Sequence, residues 1–135
     1  MERKMNLFMD ACTIIYLVEA AEPFHSQVLE VLHQHYTGKI FVSALSLLEC
    51  CVKPLRENNS EVLSLYTQFF QASDVHIVEL TTDVIHTALW LRAQYTLATP
   101  DALQAACALA LPEKPGFVTA DKHLKRISQL DILLI

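Results

Sequence analysis

Leu7-Phe8-Met9-Asp10-Ala11-Cys12-Thr13-Ile14-Ile15-Tyr16-Leu17-Val18 begins with an apolar run of strand length, meets a carboxylate, and passes into apolar positions at three-to-four spacing. That is a strand, an acid and a helix in succession. Phe117-Val118-Thr119-Ala120-Asp121 repeats the strand and the acid near the other end. Ile40-Phe41-Val42, His76-Ile77-Val78-Glu79 and Ile132-Leu133-Leu134 are similarly short and rich in β-branched or aromatic residues, which gives five strands. The intervening sequence has helical period. Ile14, Ile15, Leu17 and Val18, then Val28, Leu29, Val31 and Leu32, form a helical hairpin broken at Glu22-Pro23. Ser43 predicts the N-cap of a helix ending near Lys53-Pro54, Ser60 opens another, and Thr82 or Asp83 begins a third. Thr99 with Pro100 opens the last, through Leu111, where Pro112 and Pro115-Gly116 stop it. Strands separated by helices require right-handed crossovers, so the expected class is α/β: a three-layer α/β/α sandwich around a mainly parallel sheet of about five strands.

The 135 residues suit a single domain over 1–135, with no internal repeat, low-complexity segment or linker. Apolar residues make up 53% against 2 glycines, an excess that points to self-association or a bound partner covering part of the surface. No apolar run approaches a membrane span, and Met5-Asn6-Leu7-Phe8-Met9 after Met1-Glu2-Arg3-Lys4 is too short for a signal core. The expected location is the cytoplasm. Cys12, Cys50, Cys51 and Cys107 show no CxxC or framework spacing and read as reduced packing residues. The histidines lack HExxH or paired Cys/His spacing, which argues against zinc.

Four acids sit at passages between elements: Asp10, Glu49, Asp101 and Asp121. A hard divalent cation takes carboxylate oxygens from separated parts of a fold, and ligands of open parallel sheets sit at the carboxyl ends of strands. Taken singly, each acid has a structural reading. Asp10 and Asp121 suit N-caps, and Asp101 after Pro100 suits the helix dipole. Glu49, among Leu47, Leu48, Cys50 and Cys51, reads as an acid in a dry setting that needs a partner or a proton. The net charge of −5 does not exclude a polyanionic substrate, since two divalent cations would bring it to −1.

In order and spacing, four blocks resemble the PIN domain family of Mg-dependent ribonucleases, most closely the VapC-like toxins of toxin–antitoxin pairs. The blocks are Phe8-Met9-Asp10 with Thr13-Ile14-Ile15-Tyr16-Leu17; Val42-Ser43-Ala44 leading to Glu49; Leu91-Arg92-Ala93 before Thr99-Pro100-Asp101-Ala102-Leu103-Gln104-Ala105-Ala106; and Phe117-Val118-Thr119-Ala120-Asp121. The resemblance implies an Mg or Mn site built from Asp10, Glu49, Asp101 and Asp121, with the Thr119 hydroxyl behind it. It implies hydrolysis of RNA leaving a 5′-phosphate and a 3′-hydroxyl, and a protein antitoxin as partner. Asp10 and Asp101 are expected to carry the first ion, Asp121 a second ion or a water, and Glu49 to bind metal or orient the nucleophile. Thr13 joins Thr119 as a supporting hydroxyl. Lys122, Lys125, Arg126 and Arg92 are candidate phosphate contacts, set against the plainer reading of a solvated helix face. The apolar rows Val28, Leu29, Leu32 and Val62, Leu65, Tyr66, Phe69 read as core, with part left for a homodimer face or an antitoxin groove.

One position departs from the pattern. The family commonly has Ser or Asn two residues after the first Asp, where this chain has Cys12, a poorer hydrogen-bond partner. A catalytically inactive PIN-fold module that binds nucleic acid or protein therefore stands as the alternative. An Mg-dependent phosphotransfer domain ranks lower, because Asp10-Ala11-Cys12-Thr13 lacks the second acid that such domains place beside the first.

Overall fold

In the computed structural model, which describes residues 4–135, the five expected strands form one sheet. They are β1 Leu7–Met9, β2 Ile40–Ser43, β3 Val75–Val78, β4 Gly116–Thr119 and β5 Asp131–Leu134, in the order β3-β2-β1-β4-β5. Every adjacent pair is parallel. The connections hold α1 Ala11–Val18, α2 Phe24–His35, α3 Leu45–Arg56, α4 Ser60–Gln71, α5 Thr82–Tyr95 and α6 Thr99–Leu109. Residues 1–3, the start of the segment weighed as a signal core, lie outside the described residues. No described helix is long and apolar enough to cross a membrane.

The strand period of two divides the core into two layers. Leu7 and Met9, Ile40 and Val42, and Val118 pack on one face against Ile14, Val28, Cys50, Tyr66 and Phe70 of α1–α4. Phe8 and Phe117 turn to the other face, their rings stacked at 5.3 Å, beneath Val84, Ala88 and Leu91 of α5 and the alanine-rich α6. Ala102, Ala105, Ala106 and Ala108 are all buried, and their small side chains let α6 lie close to the sheet. At Gly116 a Cβ would stand 2.6 Å from both Leu133 Cδ1 and Met5 Sδ, so glycine lets β4 sit beneath these side chains without displacing them.

Four local expectations shift. Ser43 is the last residue of β2 and Ala44 holds the N-cap position of α3, yet the Ser43 hydroxyl still accepts the Leu45 N–H at 3.0 Å. The helix does not stop at Pro54 but runs to Arg56. A proline in a last turn forfeits only its own N–H bond, and the following carbonyls are satisfied. Lys53, Leu55 and Pro54 accept from Glu57, Asn58 and Asn59 at 3.0, 3.2 and 2.8 Å. Strand β3 starts one residue early, at Val75, and α6 ends at Leu109.

The order of strands places the functional edge. The chain builds outward from β1 through β2 to β3, then returns through α5 and α6 to set β4 on the free side of β1. The crevice beyond the carboxyl ends of β1 and β4 is the topological switch point, where open α/β sheets bind ligands.

Candidate active site

Asp10 leaves β1 in extended backbone and caps α1, its Oδ1 accepting the Thr13 N–H at 3.1 Å. The buried Thr13 hydroxyl lies 2.9 Å from the Asp10 carbonyl and 3.4 Å from that of Val118, on the neighbouring strand. Asp121 leaves β4 and caps a short 3-10 helix, Lys122–Arg126, with its Oδ1 accepting the His123 N–H at 2.9 Å. The capping readings thus hold for both residues, and in each the cap engages Oδ1. Thr119 links the pair. Its buried hydroxyl oxygen accepts the Asp121 N–H at 3.0 Å, and the same hydroxyl favours the charged form of the Asp10 carboxylate.

Asp101 stands in the first turn of α6 and Glu49 in the second turn of α3. Asp10, Cys12, Glu49, Asp101 and Gln104 line one cleft of about 70 Å³, and no cationic side chain is among the lining residues. Burial pushes the Asp10 carboxyl above the usual range; hydrogen bonds from Thr119 and Thr13 hold part of that rise back, and the Asp101 charge adds to it. Burial likewise raises Asp101, and the Asp121 charge adds to it. The Cys12 thiol is raised by burial and then by Asp10, Glu49, Asp101 and Asp121. Three of the four expected acids, Asp10, Glu49 and Asp101, line the cleft; Asp121 does not line it but is near enough for its charge to raise Asp101.

Among the described residues, no group of three or more His, Cys, Asp or Glu side chains is gathered into a ready-made metal cage. The donor set nevertheless fits Mg or Mn. All its acidic donors are hard oxygens, and Mg is held by one or two carboxylates with several waters and substrate phosphates rather than by an all-protein cage. A space of about 70 Å³ suits an ion that keeps part of its hydration.

The bases divide. Lys122, Lys125 and Arg126 are exposed on the 3-10 helix just past Asp121. Arg92, also exposed, spends Nε on the Leu97 carbonyl at 2.8 Å and Nη1 on the Thr99 hydroxyl at 3.0 Å, strapping the end of α5 to the turn that carries Asp101. Gln104 matches no catalytic motif in the sequence. It lies three residues after Asp101, on the same face of α6, and that spacing was the available signal.

A PIN domain model matches residues 7–130. No curated protein matches the chain. Among solved structures it is similar to VapBC2 from Rickettsia felis bound to a DNA fragment of its promoter, at 20% identity over 96% of this chain and 98% of that one, with a TM-score of 0.74. A toxin–antitoxin complex from Klebsiella pneumoniae matches at 19% identity over 94% and 95%, with a TM-score of 0.69. VapC20 of Mycobacterium tuberculosis, a sarcin-ricin loop cleaving toxin, matches at 16% identity over 74% and 78%, with a TM-score of 0.61. At these identities the likeness is one of fold.

Proposed function

The chain belongs to the PIN domain family, and from that premise we propose that it is a metal-dependent endoribonuclease, the toxin of a toxin–antitoxin pair. The observation that carries the reading is the presence of Asp10, Glu49 and Asp101, from three separate stretches of chain, in the lining of one cleft at the switch point of the sheet, with Asp121 nearby. Asp10 and Asp101 would hold an Mg or Mn ion, Asp121 a second ion or a water, and Glu49 would bind metal or orient the attacking water. A bound divalent cation supplies charge neutralisation at the phosphodiester and makes a nucleophile accessible at neutral pH. The protein's own part is positional. Thr119 and Thr13 fix the Asp10 carboxylate, and Lys122, Lys125 and Arg126 stand where an RNA backbone leaving the cleft would meet positive charge.

The resemblance to toxin–antitoxin complexes supports a protein antitoxin and a cytoplasmic setting with reduced thiols; the four cysteines are free. Two apolar surfaces are available for an antitoxin and a second copy: Leu48, Val52 and Leu55 on α3, and Ile85, Leu89 and Trp90 on α5.

The test is cleavage of a purified structured RNA in Mn by the wild type and by Asp10→Asn, with the RNA ends sequenced. Cuts leaving 5′-phosphate and 3′-hydroxyl ends, lost in the variant, are expected; full activity in Asp10→Asn refutes the assignment. Cys12 favours a second reading, a binding module that keeps the fold without the chemistry, because its thiol replaces a stronger hydrogen-bond partner at the cleft. That reading is the one left standing if RNA is bound but never cut.

A further inference from the structure

We propose that Gln104 is part of the cation site: its amide nitrogen holds Glu49 in place, and its carbonyl oxygen, which no donor of the chain satisfies, receives the ion or a water on it. The inference rests on the metal-dependent reading above. Gln104 is only 4% exposed, and its Nε2 donates to Ser46 Oγ at 2.9 Å and to Glu49 Oε1 at 3.1 Å, which uses both amide protons. Its Oε1 is buried and has no hydrogen-bond partner. Buried acceptors left unmatched are rare in folded proteins, and each calls for a reason.

The orientation of the amide follows from its neighbours. Turned over, it would set its carbonyl against the Glu49 carboxylate, acceptor on acceptor. The carbonyl therefore faces away from Glu49 and Ser46. Gln104 lines the same cleft as Asp10, Glu49 and Asp101. Any group that meets the oxygen there must be attractive to three carboxylates as well. An anion is disfavoured beside these acids, and a hard cation carrying its own waters can meet the amide oxygen as well as a carboxylate, since neutral amide oxygens serve as donors to such ions beside carboxylates. Gln104 is thus a positioning residue for Glu49 and an additional oxygen donor.

The test measures Mn²⁺ binding to the purified full chain by electron paramagnetic resonance, alongside thermal melts with and without Mn²⁺. The wild type is compared with Gln104→Met, which removes donors and acceptor at similar length, and with Gln104→Glu, which keeps an oxygen and adds charge. Gln104→Met should bind Mn²⁺ about 10-fold or more weakly, the usual cost of losing a group that supports a metal ligand. Gln104→Glu should melt lower than the wild type without metal, through repulsion of Glu49, and gain more from Mn²⁺ than the wild type gains. Unchanged affinity in Gln104→Met overturns the proposal. If that variant does not fold, a Mn²⁺ gain in Gln104→Glu no larger than in the wild type overturns it. A wild type that binds no Mn²⁺ removes the metal-dependent reading and this one together. Mn²⁺ binding that depends on Gln104 without any RNA cleavage removes the nuclease reading alone.

Discussion

Replacing Thr119 by valine removes one hydroxyl from a fully buried position and almost no volume, so the loss is polar and leaves no cavity. That hydroxyl accepts the Asp121 N–H at 3.0 Å and favours the charged form of Asp10, as a donor to its carboxylate would. A bond to a charged group contributes about 1.5–3 kcal/mol and a neutral one about 0.5–1.5 kcal/mol. Asp121 is half-buried, so water can take up part of its freed N–H, and the expected total is about 2 kcal/mol. For a domain of this size that lowers the melting temperature by roughly 6–10 °C. The pH dependence has a definite sign. The Thr119 bond lowers the Asp10 pKa, so in the valine variant the folded-state value moves further above the ordinary 3.8. The added penalty exists only while Asp10 is ionised and fades as pH falls through the folded value. Urea titrations followed by circular dichroism in metal-free buffer, at about pH 7.5 and about pH 4, read the gap between variant and wild type directly. The gap should narrow in acid. A gap that is the same at both pH values, or below about 0.5 kcal/mol at neutral pH, would mean the hydroxyl does not hold Asp10.

Asp10→Asn keeps a good N-cap but discards a buried charge. Because the folded Asp10 pKa lies above 3.8, the wild type loses stability as pH rises from there through the folded value. The variant should therefore melt higher than the wild type in metal-free neutral buffer and lose that advantage in acid; a lower neutral melting point contradicts the assignment. Converting Lys122, Lys125 and Arg126 together to alanine should reduce the salt slope of single-stranded RNA binding by about 2. An unchanged slope in a filter-binding titration returns these bases to an ordinary solvated surface. Gly116→Ala forces a methyl within 2.6 Å of Leu133 Cδ1 and Met5 Sδ and should cost about 1–3 kcal/mol in urea unfolding. Wild-type stability in that variant would show that β4 and its neighbours have slack.

The parts of the fold that could be read from sequence were those written locally. The apolar runs at 7–9 and 117–119 carry strand period and end on acids, and both appear as strands with the acid at the carboxyl end. Punctuation was less dependable. Pro54 reads as a stop, but the backbone groups that follow it find partners in the Glu57–Asn59 turn, which no local signal announces. The four acids were visible because each stands at a place where chemistry is usual. Gln104 was not, since an amide within an alanine-rich helix matches no motif and its bond to Glu49 spans 55 positions. Arg92 was read by its charge alone. Its strapping of the Leu97 carbonyl and the Thr99 hydroxyl depends on the left-handed turn at Thr96, a conformation set by how α5 ends.

The order of strands has a consequence for how the molecule comes together. One wing of the sheet, with its helices, brings Asp10 and Glu49, and the other brings Asp101 and Asp121. Neither segment alone carries more than half of these acids, so under the proposed metal-dependent reading cation capture would report on the docking of the two. A chain nicked between α4 and β3 would be blind to Mn²⁺ as separate pieces and regain the response only when the pieces are mixed.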